Sequence, residues 1–547
     1  MTTHILLAAC ALAAGVGLAG ERKYIASGWE FNSITPDDIL QHIDQFEAAG
    51  IDGAVLYVNQ KRADGSLMSS RGIMHDAKWT REDFAAVIPT YRKITSHRCF
   101  RASFLEAYRA PTKRIAWTDD AEWARVAHNL RVEAWLAKQG GFIGLDVDPE
   151  DYRRQDQYVR LADELPYPQL AALARRRGRE VFSGIFAEFP DAKIMFAWLL
   201  TMGRQYWGGV NLQGAMADAE DLWPAFVDGI FDVLPPTATL IEGCENAYRF
   251  EADRYHFHKT ASVIRTAFAD LLSPENRDKY RKQVQVSFGL YFDSYVHPEG
   301  DNYYLGPVDG SRLKHLELNL AAATEATDEF VWFWSEKHGF VHWKEGVQRD
   351  KRLGPSPTWE DLMPGFTDVL QVTKDPLGGI GKWQKAFAAG EIKPVNANPS
   401  CSGTDEKTVL KDYSSWQEGA KYRRQGTFGW DASVGAGGAL YAEGVDKGCF
   451  VIHVKDRKPG SRFGISVAAK GRSAAVTVAF LRNGAWDTTV PEVSLPIGAD
   501  TGDWRKCAGS VRVPVGADGF GLKLNVHQAP GERTWFDDIA IYPIEYK

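Results

Sequence analysis

The sequence of 547 residues predicts an α/β fold, a (β/α)8 barrel, followed by an all-β jelly-roll-like sandwich. Three observations carry that expectation. Short apolar runs alternate with helical patterns until Trp334. One of these runs, Phe142-Ile143-Gly144-Leu145-Asp146-Val147-Asp148, ends in a cluster of acids, and the C-terminal end of a barrel strand is where chemistry sits. Beyond residue 400 the helical period gives way to short alternating strands with Gly-rich turns.

The elements follow in order. Tyr24 to Phe31 reads as the first strand. Thr35-Pro36-Asp37-Asp38 then supplies an N-cap, a proline at the first helical position and an acidic first turn. Ile39, Ile43 and Phe46 recur at helical spacing, Gly50 stops the helix, and Ile51 to Val58 is the second strand. A strand, a helix and a strand in this order imply a parallel sheet. The pattern continues with a helix over 80–92, a strand over 100–106, a helix from Asp119 to Lys138, and the fourth strand ending at Asp148. A helix over 169–189, a strand over 193–199, a helix over 221–233 and a strand over 238–243 come next. A helix around 251–272, a strand over 284–292, a helix over 312–324 and a strand over 329–334 complete eight repeats. An open doubly wound sheet would need a glycine-rich phosphate turn after the first strand, and Gly28-Trp29-Glu30-Phe31 is not one.

Residues 1–19 read as a secretory signal peptide, with an apolar run from Ile5 and small residues at Gly17-Leu18-Ala19. Leu7-Ala8-Ala9-Cys10 resembles a bacterial lipobox but sits early and is followed by more apolar residues, so a lipid anchor is the less favoured reading. The expectation is a secreted or periplasmic protein with no transmembrane segment. The barrel would span 20–375, a Pro- and Gly-rich linker 376–400 and the sandwich 401–547. A formal charge of −7 with no Lys/Arg-rich stripe argues against nucleic acid. Removing Cys10 leaves an odd number of cysteines, and one bridge among Cys401, Cys449 and Cys507 stays open. Neither His256 with His258 nor His338 with His342 has convincing metal-ligand context, so no metal and no cofactor is expected.

The acids point to a reaction class. Asp146, Asp148 and Glu150 alternate along the fourth strand and face one way while the strand persists. Pro149-Glu150-Asp151 also fits a helix start, the bland alternative. The sixth strand runs into Glu242 and Tyr248, the seventh into Tyr291 and Asp293, the eighth into Trp332, Trp334 and Glu336. The first supplies Trp29 and Glu30, the third Glu106 and Tyr108. Paired carboxylates beside aromatic rings are what glycosidic bond cleavage requires. Glu150 is the candidate acid. Glu242, then Asp293 and Glu336, are candidate partners. Trp29, Glu30, Trp198, Tyr248, Tyr291, Trp332 and Trp334 are candidate substrate contacts, with Trp207 a further sugar platform.

Gly144-Leu145-Asp146-Val147-Asp148-Pro149-Glu150 resembles the fourth-strand signature of chitinase-type (family eighteen) glycoside hydrolases, with Ile143 where that signature has its first Asp. The resemblance implies that Glu150 is the acid, that Asp148 steers an acetamido group and that Tyr248 or Tyr291 holds it. More generally the first part resembles (β/α)8-barrel glycoside hydrolases. Gly448 to Ile452, Lys458 to Val467 and Trp535 to Ile541 resemble jelly-roll carbohydrate-binding modules, with Trp416, Trp430 and Trp486 as possible platforms. The resulting expectation is a secreted glycoside hydrolase acting on a poly- or oligosaccharide. The alternative is a non-catalytic carbohydrate-binding protein on a degenerate barrel.

Overall fold

The computed structural model describes residues 22–61, 67–109, 111–150, 156–202, 211–345, 347, 357–376, 378–499 and 502–546. The signal-peptide reading, Cys10, Asp151, Tyr152 and Trp207 lie outside them. The chain divides into two compact units, one ending at Leu370 and the other beginning at Gln371.

The first unit is a closed parallel barrel. Its strands are β1 (Lys23–Gly28), β2 (Gly53–Leu56), β3 (Phe104–Arg109), β4 (Gly144–Asp148), β5 (Lys193–Phe196), β6 (Thr239–Glu242), β7 (Val284–Val286 and Phe288–Tyr291) and β8 (Phe330–Ser335). Neighbours in sequence are neighbours in the sheet, and β1 pairs with β8. Closure runs through β7, which Ser287 splits in two. Its first half pairs with β6 and its second with β8. Ser287 ties both sides together: its backbone N–H donates to the Glu242 carbonyl and its hydroxyl to the Phe330 carbonyl, each at 2.8 Å.

Strand ends deviate from the sequence pattern for local reasons. β1 stops at Gly28, whose φ of 136° ends the strand, and Trp29–Phe31 becomes a turn of 3-10 helix. A Cβ on Gly28 would lie 1.9 Å from the Ser335 carbonyl oxygen, so only glycine lets β1 and β8 meet there. β3 begins at Phe104, later than its apolar run suggests, because Arg98–Phe100 forms a 3-10 turn. β4 ends at Asp148, before Pro149, which cannot continue a ladder.

The second unit is an antiparallel sandwich. One sheet runs Ser414–Gln417, Gly448–Val454, Gly519–Val526, Ala475–Arg482, Ala485–Trp486, with Val493–Leu495 beside Ala475–Arg482. The other runs Thr427–Asp431, Ala439–Glu443, Arg533–Ile544, Arg462–Lys470, Arg505–Arg512. Alternate residues such as Phe450, Ile452, Val478, Leu522, Ile465 and Ile541 fill the space between them. The three edge and hairpin strands between residues 414 and 443 escape sequence reading because their outward faces are polar or half-exposed. The stretch 376–400 holds more than a spacer: Gly381–Ala388 is helical, and its Phe387 stacks on Tyr542 at 4.7 Å. Cys401, Cys449 and Cys507 are each buried and free, so no bridge joins them.

Replacing Gly28 by Ala is expected to cost about 3 kcal/mol, because the clash is with backbone. Gly300→Ala, at a positive φ with open space around it, is expected to cost about 1 kcal/mol. Urea unfolding of both variants checks the difference, and equal losses would contradict the close packing of β1 on β8.

Candidate active site

At the C-terminal ends of the barrel strands lies a cavity of about 740 Å³. β1 leads into it with Ser27 and Trp29, β4 with Asp146, Asp148 and Glu150, and β8 with Trp332, Trp334 and Glu336. The turns after β6 and β7 add Glu245, Tyr248 and Tyr291. Six carboxylates and seven aromatic rings share this space. Sequence reasoning passed over Tyr57, Arg71, Glu245, His297, Asp301, Tyr303 and Lys337 as cavity residues. Most come from long βα loops with no periodic signal. Glu245 is an acid in the stretch from Glu242 to Tyr248 that follows the sixth strand, and the 3-10 turn there puts it on the same side as Tyr248.

The β4 acids all reach the cavity. Asp148 is buried, and its Oδ1 accepts the Glu150 backbone N–H at 3.0 Å. That Asx-type turn bends the chain at Pro149, so Glu150 keeps facing the mouth after the strand has ended. Asp146, read as a supporting acid, also lines the cavity.

β8 supplies the opposite wall. Trp332 fits because two glycines make room: Cβ atoms on Gly243 and Gly289 would lie 2.9 and 2.6 Å from its indole. Its Nε1–H donates to the Gly243 carbonyl at 2.8 Å. The Trp334 Nε1–H donates to Glu336 Oε1 at 3.2 Å. The Tyr291 hydroxyl also bonds Glu336, and burial, with Asp293 and Glu336 nearby, pushes its pKa up. His297 lies against Tyr291, with ring centroids 5.5 Å apart, and its Nδ1 is 3.2 Å from Asp301.

Two of the ranked partner acids do not reach the cavity. Glu242 is fully buried and accepts the N–H groups of Leu199, Leu200, Thr201 and Cys244 and the Thr201 hydroxyl, at 2.7–3.1 Å. Burial raises its pKa, against the pull of those donors. Asp293 is also buried, and its oxygens accept the N–H groups of Glu336 and Lys337 at 2.8 and 3.0 Å. Burial pushes it up to about 6, despite those two donors. Glu30, read as a substrate contact, turns away instead and accepts the Phe340 N–H and the Trp343 Nε1–H. Trp198 also stays outside the lining and donates its Nε1–H to Asn246 Oδ1 at 3.0 Å. On β3, Glu106 is fully buried and the Tyr108 hydroxyl bonds Tyr158. For Glu242, Asp293 and Glu30 the cause is shared: a strand-end acid next to an adjacent loop satisfies that loop's backbone donors before it can face solvent.

Among the described residues no group of three His, Cys, Asp or Glu side chains could hold a metal ion. His256 and His258 face Asp253 and Glu325 separately. Among the described residues no helix is long and apolar enough to cross a membrane.

In the sandwich, Trp430 donates its Nε1–H to the Cys401 carbonyl, whereas Trp416 and Trp486 are 51% and 42% exposed. Trp486 lies over Gly521, where a Cβ would come within 2.3 Å of its ring. The Lys523 ammonium stands 4.7 Å from the ring centroid and His453 5.4 Å away.

No family model and no curated protein matches the sequence. Among solved structures, the chain is similar to the enzymatically active domain of bacteriophage CBA120 tailspike protein 4, at 17% identity and a TM-score of 0.21, over 24% of this chain and 19% of that one. It is similar to arabinose-bound MgGH51 α-L-arabinofuranosidase at 13% identity and a TM-score of 0.21, over 27% and 26% of the two chains. It is also similar to the CBM22-1 xylan-binding domain of Paenibacillus barcinonensis Xyn10C, at 14% identity and a TM-score of 0.21, over 27% of this chain and 93% of that one. The chain thus spans about a quarter or less of the first two.

The raised pKa of Asp293 has a signed consequence. Its folded value of about 6 exceeds the unfolded value, so the folded state holds the proton more tightly and loses stability as pH rises between the two. Asp293→Asn should remove on the order of 2–3 kcal/mol of that fall between about pH 4 and about pH 6.5. Urea unfolding across this range tests it, and an unchanged pH slope would contradict it.

Proposed function

We propose that this protein is a glycoside hydrolase that cleaves a poly- or oligosaccharide in the barrel cavity, with Glu150 as general acid and Glu336 as the second carboxylate. The observation that carries the proposal is the cavity itself, where carboxylates from β4 and β8 face a shared space among Trp29, Tyr248, Trp332 and Trp334. Aromatic faces pack against the apolar faces of sugar rings, and carboxylates supply the proton and the opposing charge at an oxocarbenium-like transition state. Glu150 would protonate the leaving oxygen. Glu336, steadied by donors from Tyr291 and Trp334, would either attack the anomeric carbon or activate water. A separation of about 5 Å gives retention and roughly 6.5–9.5 Å inversion.

A second reading has its own support. Asp148 sits beside Glu150 through the 3.0 Å turn bond, and Tyr291 lines the same cavity. The β4 resemblance to chitinase-type hydrolases would then assign Asp148 and Tyr291 to a 2-acetamido group, which would act as the internal nucleophile. In that case Glu336 would be dispensable.

The sandwich would bind carbohydrate on the sheet face that carries Trp486, where the exposed indole has Lys523 and His453 beside it. The leader at 1–19 would make the protein an exported one.

Glu150→Gln should lower kcat roughly a thousandfold or more without changing the fold, measured on a panel of polysaccharides with circular dichroism as control. Retained activity would remove Glu150 from the chemistry. A comparable loss in Glu336→Gln favours the two-carboxylate route, and retained activity the acetamido route. Trp486→Ala should weaken retention on the same polysaccharides about tenfold, and unaltered retention would count against binding by the sandwich.

A further inference from the structure

The turn after β6 has two sides. Residues Glu245–Arg249 form a 3-10 helix, in which positions three apart share a side. Glu245 and Tyr248 face the acidic cavity. Asn246 and Arg249 face a second cavity of about 760 Å³, bounded on its far side by the helix Arg254–Thr266. A single helical turn therefore separates two spaces, each large enough for a ligand of several rings.

That turn is held firmly. Asn246 accepts the Trp198 Nε1–H and donates to the Thr201 carbonyl, both at 3.0 Å. Arg249 donates to the Asn302 carbonyl at 3.0 Å, and its guanidinium lies 4.2 Å from the centre of the Tyr303 ring. Tyr303 lines the acidic cavity while Arg249 lines the second, so this stacked pair forms the ridge between them.

The second cavity has the mixed chemistry that a sugar chain needs. Phe250 and Val263 give it an apolar floor, and His256 extends the floor with its ring 5.7 Å from that of Phe250. Lys259 and Arg249 supply donors, Glu251 and Asp253 acceptors. Apolar CH faces and alternating hydroxyls of a saccharide match such a surface, with rings on the Phe250 side and hydroxyls toward the polar groups at its margin.

We propose that the second cavity is a distal subsite. A saccharide chain whose scissile bond lies among the β4 and β8 acids crosses the Arg249–Tyr303 ridge, and its further residues bind between Phe250 and the helix Arg254–Thr266. The substrate is then an extended chain, not a small glycoside. The inference rests on the glycosidase reading for its substrate class.

The test is a binding measurement, which keeps the two ideas apart. The Glu150→Gln protein is titrated calorimetrically with gluco-, xylo-, manno- and chito-oligosaccharides from disaccharide to octasaccharide. Affinity for the recognised series should rise at least tenfold with length. Val263→Trp, which fills the cavity, should remove that increment, and Lys259→Ala, a milder change on the same helix, should reduce it. Affinity that does not depend on length, or an increment that neither variant alters, would overturn the distal subsite. Length-dependent binding that the variants abolish, in a wild-type protein that hydrolyses none of the series, would support the subsite and overturn the hydrolase reading alone. No binding in any series would overturn both.

Discussion

The barrel mouth depends on buried carboxylates that accept backbone N–H groups from neighbouring loops. Glu242 at the end of β6 gathers the chain after β5. Asp293 after β7 gathers the first residues after β8. Glu30 after β1 gathers a later part of the same loop. Each acid thus staples a loop that its own strand did not produce. Charge-assisted bonds of this kind are among the stronger ones a protein makes, and removing one partner leaves either a buried charge or several orphaned donors.

This arrangement divides the acids into two populations with different work. The stapling acids are desolvated, and burial raises Glu242 and Asp293. The cavity acids keep a face toward open space, where a substrate can reach them. The two populations meet at Glu336. Asp293 fixes its backbone, while Tyr291 and Trp334 fix its carboxylate. At the end of β4 one acid does both kinds of work: Asp148 lines the cavity and also uses an oxygen to turn the chain, which carries Glu150 into the mouth.

Much of the architecture was legible in the sequence. The alternation of apolar runs and helical patterns identifies all eight barrel strands, because a strand buried on both faces leaves a continuous apolar run. The β4 acids were legible for a related reason, since Asp146, Asp148 and Glu150 stand two apart in sequence, although β4 itself ends at Asp148 and a turn carries Glu150 on. The partner acid was not. Glu242 and Glu336 both follow apolar strands and look alike in sequence. What separates them is whether a neighbouring loop offers free N–H groups, which is a tertiary fact. His297, Asp301 and Tyr303 were invisible for a different reason, because a long loop carries no period. The Cys401, Cys449 and Cys507 question was likewise settled only by packing, since each thiol lies in its own part of the sandwich core or edge.

The division between stapling and reacting acids is the central claim, and one measurement tests it most directly: a crystal structure of the Glu150→Gln protein with a bound oligosaccharide. The account predicts a glycosidic oxygen within about 3 Å of the residue 150 side chain, sugar rings against Trp332 and Trp334, and Glu242 and Asp293 still bonded to their loops. A sugar bound away from the β4 and β8 acids, or one contacted by Glu242 or Asp293, would contradict it.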